Sequence, residues 1–169
     1  MKLVVLIVLL LSFDTQAFTQ QKRDRLLGNL IKKALENYHY RRLMIDDSIS
    51  NIAFKEYLKR LDPGKQFLLV DDIKKLEKHK SKMDDQMVSG NFSIIIAGSE
   101  ILDKRIAKVE SWRKDFFSKN FNFDIKEELE LDPDKRVFQK KERDLKDLWR
   151  KVFKQATLSR YMTLIEEQK

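Results

Sequence analysis

The sequence has no cysteine, and only two histidines, two prolines and four glycines in 169 residues. Without cysteine there is no disulfide framework, no thiol nucleophile and no thiolate metal site. The two histidines, His39 and His79, fall on different segments. They show neither helical pairing nor carboxylates at ligand spacing, so the pattern does not describe a metal centre. Scarce chain breakers among abundant Lys, Glu, Leu and Ile favour helix throughout. Convincing apolar–polar alternation, internal repeats and low-complexity tracts are all lacking, which leaves an all-α chain as the expected class.

Leu3 to Leu11 is an unbroken apolar run that follows Lys2 and precedes the polar Ser12–Ala17 stretch. That order describes a secretory signal peptide with cleavage after Ala17, a small residue. The run is too short for a spanning helix, which needs ~20 apolar residues. The sequence therefore predicts a signal peptide over 1–17, one exported domain over 18–169, a periplasmic location and no stable membrane span. With no cysteine, such a domain depends on its hydrophobic core.

Charge is plentiful: 35 basic against 27 acidic residues, a net of +8. Such an excess can attract nucleic acid or an anionic surface. Here the signs are interleaved, as in Lys141-Glu142-Arg143-Asp144-Leu145-Lys146-Asp147. Mixing of this kind describes a solvated helix face, and no nucleic-acid partner is expected.

The spacing predicts a first helix over 23–40, with Leu26, Leu27, Leu30, Ile31, Ala34, Leu35 and Tyr38 at helical intervals. A second follows a cap at Asp47 or Ser48, with Ile49, Ile52, Ala53, Tyr57, Leu58 and Leu61 as its inner stripe. Asp62-Pro63-Gly64 then makes a turn, and 67–70 reads as one short extended apolar segment. A third helix, capped by Asp71 or Asp72, runs through Ile73, Leu76, Met83 and Met87 and stops at Ser89-Gly90-Asn91. A long fourth helix over 92–118 carries Ile95, Ile96, Ser99, Leu102, Ile106, Val109, Trp112 or Arg113, and Phe116 on one face. After a polar connector over 120–133, anchored by Phe121 and Phe123, a last helix covers 138–167. Its stripe is Leu145, Leu148, Trp149, Val152, Phe153, Ala156, Leu158, Met162 and Ile165, and it reaches Glu166-Glu167-Gln168-Lys169 without a stop signal. The expected architecture is an irregular multi-helix domain with long amphipathic helices.

No catalytic constellation emerges. Catalysis of acyl transfer needs a nucleophile, a base and oxyanion donors that converge. Ser81-Lys82 and Ser118-Lys119 are neighbours in sequence, and adjacent helical residues point about 100° apart. Neither pair lies in a glycine-rich turn, and Gly98-Ser99 reads as a close helix contact. Asp46-Asp47 and Asp71-Asp72 suit helix N-termini, Asp84-Asp85 suits a solvated face, and the tryptophans and phenylalanines suit the core. His39 reads as packed or capping and His79 as exposed. No catalytic, cofactor-binding or metal-binding residue is assigned.

Four segments in order resemble the N-terminal domain of tail-specific (C-terminal processing) serine peptidases. The first contains His39-Tyr40-Arg41, Asp46 to Ser50, Phe54, Tyr57-Leu58, Leu61 to Leu69 and Asp71-Asp72-Ile73. The second is Val88-Ser89-Gly90-Asn91-Phe92. The third is Phe121 to Asp124, Glu127-Glu128 and Leu131 to Lys135, and the fourth is Asp144 to Lys151. There are local departures: Arg136-Val137-Phe138 stands where the family often has a Pro-Trp-Pro-like stretch, and Gln66-Phe67 where an aromatic pair is common. The resemblance implies a non-catalytic helical scaffold. In full-length members it accompanies a PDZ domain that grips substrate C-termini and a Ser-Lys peptidase domain, both absent from this sequence. Implied partners are those two domains, protein substrates and a periplasmic adaptor protein. Such a domain is expected to leave apolar helix faces uncovered near its C-terminus. The residues by themselves leave a second reading open: a free-standing periplasmic helical binding module, either a chaperone or a peptidase regulator.

Overall fold

The computed structural model describes residues 20–168, and the expected signal peptide lies outside them. Among the described residues six α-helices follow one another: α1 Gln20–Asn37, α2 Asp47–Leu61, α3 Val70–Leu76, α4 Met83–Ser89, α5 Ser93–Phe117 and α6 Glu142–Glu167. A 3₁₀ turn, Glu77–His79, continues α3. Among the described residues the one β feature is an isolated parallel bridge between Leu69 and Gln139, so the fold is all-α; the expected 67–70 segment is shorter, because Val70 already begins α3.

Helix α5 organises the interior. At 25 residues it is about 37 Å long, enough to pass two separate apolar clusters. Near its start Ile94, Ala97 and Ile101 meet Phe54, Tyr57, Leu58 and Leu61 of α2, Leu76 of α3 and Met83 of α4. Near its end Val109, Trp112 and Phe116 meet Phe67, Leu69 and the Leu145, Leu148, Trp149 and Phe153 face of α6. The inner face of α5 is therefore rotated from the expected one in its first half. Ile94 and Gly98 are buried, while Ile95 and Ile96 face outward. In α2 the expected Tyr57, Leu58 and Leu61 pack inward, joined by buried Ser50 and Phe54, while Ile52 is exposed. At Gly98 the Tyr57 side chain of α2 lies against α5: a Cβ there would fall 1.8 Å from the Tyr57 hydroxyl, which donates to Ile94 O at 3.1 Å.

The expected third helix is interrupted. Residues 77–82 (Glu-Lys-His-Lys-Ser-Lys) contain no aliphatic side chain to hold a helical face against the core. The backbone tightens instead, with Lys80 N–H donating to Glu77 O and Lys82 N–H to His79 O. His79 is buried, at 8% exposure, not exposed as its lysine neighbours implied. The last helix begins four residues later than expected, because 138–141 are extended and Val70 N–H donates to Gln139 O at 3.0 Å.

Capping follows the acidic pairs with adjustments. Asp46, one residue before the expected cap, accepts from Ser48 N–H and Ile49 N–H at 2.9 and 3.2 Å. Leu69 precedes α3, and Asp72 on its first turn accepts the Leu69 N–H at 3.0 Å. Asp84 is not a solvated residue: its carboxylate accepts from the Ser50 hydroxyl, and Ser50 Oγ accepts the Asp84 N–H at 2.9 Å, which ties α4 to α2. Gly90 closes α4 in the left-handed region at φ 69°.

Candidate functional site

Parts of three of the segments that carry the family resemblance, around Asp62, the 130–136 connector and Trp149, meet in one polar junction. Asp62, buried at the end of α2, accepts the Gln66, Phe67 and Leu68 N–H groups, each at 2.9 Å. One carboxylate thereby folds the whole Asp62-to-Leu68 turn over Pro63-Gly64, whose polar backbone would otherwise be buried unpaired. Gln66 O accepts from Trp149 Nε1 of α6 at 2.6 Å. Lys65 Nζ reaches Arg136 O at 2.6 Å, and Arg136 donates to Glu130 O at 2.7 Å, so the turn also holds the connector.

A few residues along, buried Asp72 receives Arg105 Nε of α5 at 2.7 Å and Lys75 at 3.4 Å. Burial alone would raise its carboxyl pKa. The Arg105 hydrogen bond, the Leu69 N–H, the Arg105 charge and Lys75 outweigh that and hold it below the ordinary aspartate value. Arg105 also extends toward Glu142 at the start of α6, and Lys108 joins Glu142 at 3.1 Å. A second ionic cluster fastens the connector to α6: Glu127 binds Arg150, and Lys154 at 2.8 Å. Hydrogen bonds from Arg150 and then Lys154 lower the Glu127 pKa to about 2. The Arg150 pKa is correspondingly raised by Glu127.

The charges of Asp72, Arg105, Glu142, Glu127, Arg150 and Lys154 are paired with one another, which suits a structural role for them. Two clefts flank the connector. One of about 400 Å³ is lined by Phe123, Ile125, Leu129, Lys151, Lys154 and Leu158. The other, about 490 Å³, lies on the far side of Glu128–Glu130 against Arg143, Asp147 and Leu148. Neither brings a hydroxyl nucleophile to a base.

The serine–lysine pairs lie apart from both clefts. Ser81 and Lys82 are exposed on the turn before α4. Ser118 caps α5 by donating to Asp115 O at 2.9 Å, with Lys119 pointing to solvent. Ser99 is exposed beside the packed Gly98. His39 Nδ1 accepts the Arg41 N–H at 3.2 Å and so shapes the turn after α1. His79 Nδ1 lies 3.2 Å from Gln86 Nε2, and Gln86 Oε1 accepts the Ile94 N–H at 2.9 Å. Because Gln86 must donate through nitrogen there, His79 accepts at Nδ1 and carries its hydrogen on Nε2, which has no partner among the described residues. Burial, then Lys78 and Lys82, lower the His79 pKa. Among the described residues no group of three His, Cys, Asp or Glu is placed to hold a metal ion, and no helix is long and apolar enough to cross a membrane.

The sequence reading found Asp62, Asp72 and Trp149 as parts of motifs but not what they bind. The pairs Asp72–Arg105, Glu127–Arg150 and His79–Gln86 join residues 33, 23 and 7 apart, and of these only Arg105 leaves a trace in the pattern, as one charge on the Ile101, Val109 and Trp112 face of α5. The apolar stripes separate into two kinds. The first half of α6 is packed. Leu158, Tyr161, Met162 and Leu164 in its second half are exposed, as are Leu26, Leu27, Leu30 and Ile31 of α1.

A family model described as "Tail specific protease N-terminal domain" matches residues 31–169. A similar protein is the tail-specific protease of Haemophilus influenzae (strain ATCC 51907 / DSM 11121 / KW20 / Rd), 28% identical over 116 residues. The alignment covers 68% of this chain and 17% of that protein, so the chain spans less than a fifth of the relative's length.

Proposed function

The chain belongs to the tail-specific protease N-terminal domain family, and from that membership we propose that it is a non-catalytic helical scaffold of a periplasmic C-terminal processing serine peptidase. Full-length relatives are far longer than this chain. In this reading the PDZ and peptidase parts of such an enzyme pack on it, and together they shape the passage by which unfolded protein substrates enter. An adaptor protein would dock on the same outer helices. Export rests on the Lys2, Leu3–Leu11 and Ala17 pattern.

The observation that carries the reading is the contrast along α6. Its first half is built into the core through Leu145, Leu148, Trp149 and Phe153. Its second half presents Leu158, Tyr161, Met162 and Leu164 to solvent. A contiguous apolar face of this kind marks an interaction surface, and α6 is anchored firmly enough by Trp149 and Arg150 to offer it as a fixed wall.

The test has two arms. The purified chain is incubated with an unfolded reporter bearing an apolar C-terminal tail, and no cleavage is expected; hydrolysis by this chain alone would overturn the scaffold assignment. In a full-length family enzyme carrying this domain, Leu158→Asp with Met162→Asp is expected to cut reporter cleavage at least tenfold, a loss of about 1.4 kcal/mol in domain coupling, with the domain's own helicity retained. Unchanged cleavage would remove α6 as the docking face. The second reading, a free-standing binding module, draws on the satisfied polar junction around Asp62, which needs no partner to fold. It requires the isolated chain to be monodisperse and to bind unfolded protein by itself.

A further inference from the structure

Helix α1 is attached to the rest of the domain by its least apolar side. It seats chiefly against α4, and the seat is made of small and polar groups. A Cβ on Gly28 would fall 1.9 Å from Met87 O, and one on Gly90 would fall 2.5 Å from Arg25 N and Gln21 O. Asn29 Nδ2 donates to Val88 O at 3.0 Å. With the backbone this close to α4, the aliphatic stripe is turned outward: Leu26, Leu27, Leu30 and Ile31 are 52, 50, 54 and 50% exposed. The following turn adds Tyr38 at 88%, Tyr40 at 81% and Met44 at 75%. That turn is held by Arg42 N–H donating to His39 O at 2.8 Å, and the Arg41 guanidinium lies 5.2 Å from the Tyr40 ring centre.

Charge distinguishes this surface from the other exposed apolar face. Residues 20–42 contain seven Lys or Arg (Lys22, Arg23, Arg25, Lys32, Lys33, Arg41, Arg42) and two acidic residues (Asp24, Glu36). They therefore supply five of the chain's eight net positive charges. Leucines and isoleucine along one side, lysines and arginines flanking them, and tyrosines with an apolar ring and a polar hydroxyl form the pattern of a helix lying in a lipid interface. Long basic side chains can lay their stems on the apolar stripe and keep their charges at headgroup level. A second copy of the chain fits less well, since it would set two faces of the same positive sign against each other. Lysine is also depleted from the cores of protein–protein interfaces.

We propose that α1 and the turn through Met44 form a peripheral docking face for an anionic lipid surface, with Leu26, Leu27, Leu30 and Ile31 entering the interface and the Lys and Arg side chains engaging the headgroups. This reading goes beyond the scaffold role and does not depend on it, because it uses α1 and leaves α6 free.

The absence of cysteine makes the test local. A single Leu30→Cys in the full chain, labelled with an environment-sensitive dye, reports that position alone; Ser159→Cys on exposed α6 is the control. With vesicles of phosphatidylcholine and phosphatidylglycerol, a blue shift is expected at position 30 and none at 159. Raising the salt, or adding Lys33→Glu with Arg41→Glu, should weaken the apparent affinity by about tenfold. Vesicles of phosphatidylcholine alone should give little shift. The proposal fails if position 30 does not respond to anionic vesicles, or if it responds equally to both compositions. It also fails if the dye shifts with protein concentration in the absence of lipid, which would assign the stripe to a second copy.

Discussion

Leu30 and Leu145 are the same residue on two amphipathic helices, yet one is half-exposed and the other fully buried. The difference lies in what each helix is fastened by. Helix α6 is fixed through its apolar face, with Trp149 and Phe153 stacked on Phe67 and Phe116 at ring separations of 5.1–6.2 Å and Trp149 bonded to Gln66 O. Helix α1 is fixed through Gly28 and Asn29, by backbone proximity and one side-chain hydrogen bond. An apolar stripe thus says that a helix has something to cover, while small and polar residues decide which side is covered by its own domain. The contrast is open to challenge at several strengths.

The largest effect is expected at Asp62. Asp62→Ala removes the acceptor of three N–H groups in a buried turn. At ~1–3 kcal/mol for each buried donor left unpaired, with some rehydration, the loss should be about 4 kcal/mol. Urea unfolding should show it as a lower midpoint, and Asp62→Asn, which keeps one acceptor oxygen, should recover part of it. An effect below about 1 kcal/mol would mean that the junction is not what holds α2 to α6.

Leu145→Ala comes next. The side chain is fully buried between Leu69, Val109 and Trp112, and such truncations cost about 2–5 kcal/mol, more where the surroundings cannot collapse. Global unfolding is the readout, and hydrogen exchange should speed up in both α5 and α6.

Gly28→Val addresses the other side of the comparison. Its Cβ would meet the Met87 backbone oxygen at 1.9 Å, and a backbone atom cannot swing aside. A cost of about 2 kcal/mol is expected from overpacking, and it should be local. Hydrogen exchange should rise in α1 and α4 while 142–153 stays protected. Uniform acceleration would show that α1 is as integral as α6.

How much of this could be read from the sequence follows the same division. All the expected helices but the third appear unbroken, Gly90 ends α4 and Gly98 makes a close contact, because each depends on local chemistry or on a missing side chain. The covered face of α5 differs from the expected one only in its first half, and Ile52 is the one residue of the α2 stripe that faces outward, because tertiary neighbours and not periodicity decide which side of a helix is covered. The break at 77–82 was missed because charged residues have good helix propensity and only the tertiary fit withholds support. His79 was misread because its partners Gln86 and Ser93 are 7 and 14 residues away. For the site, the motifs marked the right segments, whereas the ion pairs among them belong to the three-dimensional arrangement alone.

Acidification should separate the two regions in order. His79 has a lowered pKa in the folded chain against an ordinary value of 6.5. The unfolded chain then binds more protons below that value, so this contribution is complete above pH 6.5 and is lost as the pH falls toward the folded pKa. Protonation would also turn Nδ1 into a donor facing the Gln86 amide, loosening the Gln86 hold on Ile94 at the start of α5. The Asp72 carboxyl is likewise lowered, from 3.8. Its contribution is complete above that value and disappears only as the pH drops through the lower folded pKa. A pH series of hydrogen-exchange measurements should therefore show α4 and the first turn of α5 loosening before the Asp72–Arg105 contact. In His79→Phe the earlier step should vanish. Simultaneous loss at both places would merge the two regions into one cooperative unit.

The smallest expected effect is the most discriminating. Leu30→Gln changes a leucine on a well-formed apolar stripe, and from periodicity alone it should resemble a core substitution. Because Leu30 is already 54% exposed and α1 is seated on its opposite side, the stability change should stay within about 0.5 kcal/mol. Gln is close to Leu in helix propensity, so no compensating backbone term hides the result. A loss of 2 kcal/mol or more, comparable with that of a buried leucine, would mean that the stripe is covered within the free chain. The outward-facing α1 surface, and the lipid docking built on it, would then have to be withdrawn. A null result on stability together with a lost vesicle response at the same position would separate folding from docking in one residue, because the side chain would then matter only when the surface it faces is present.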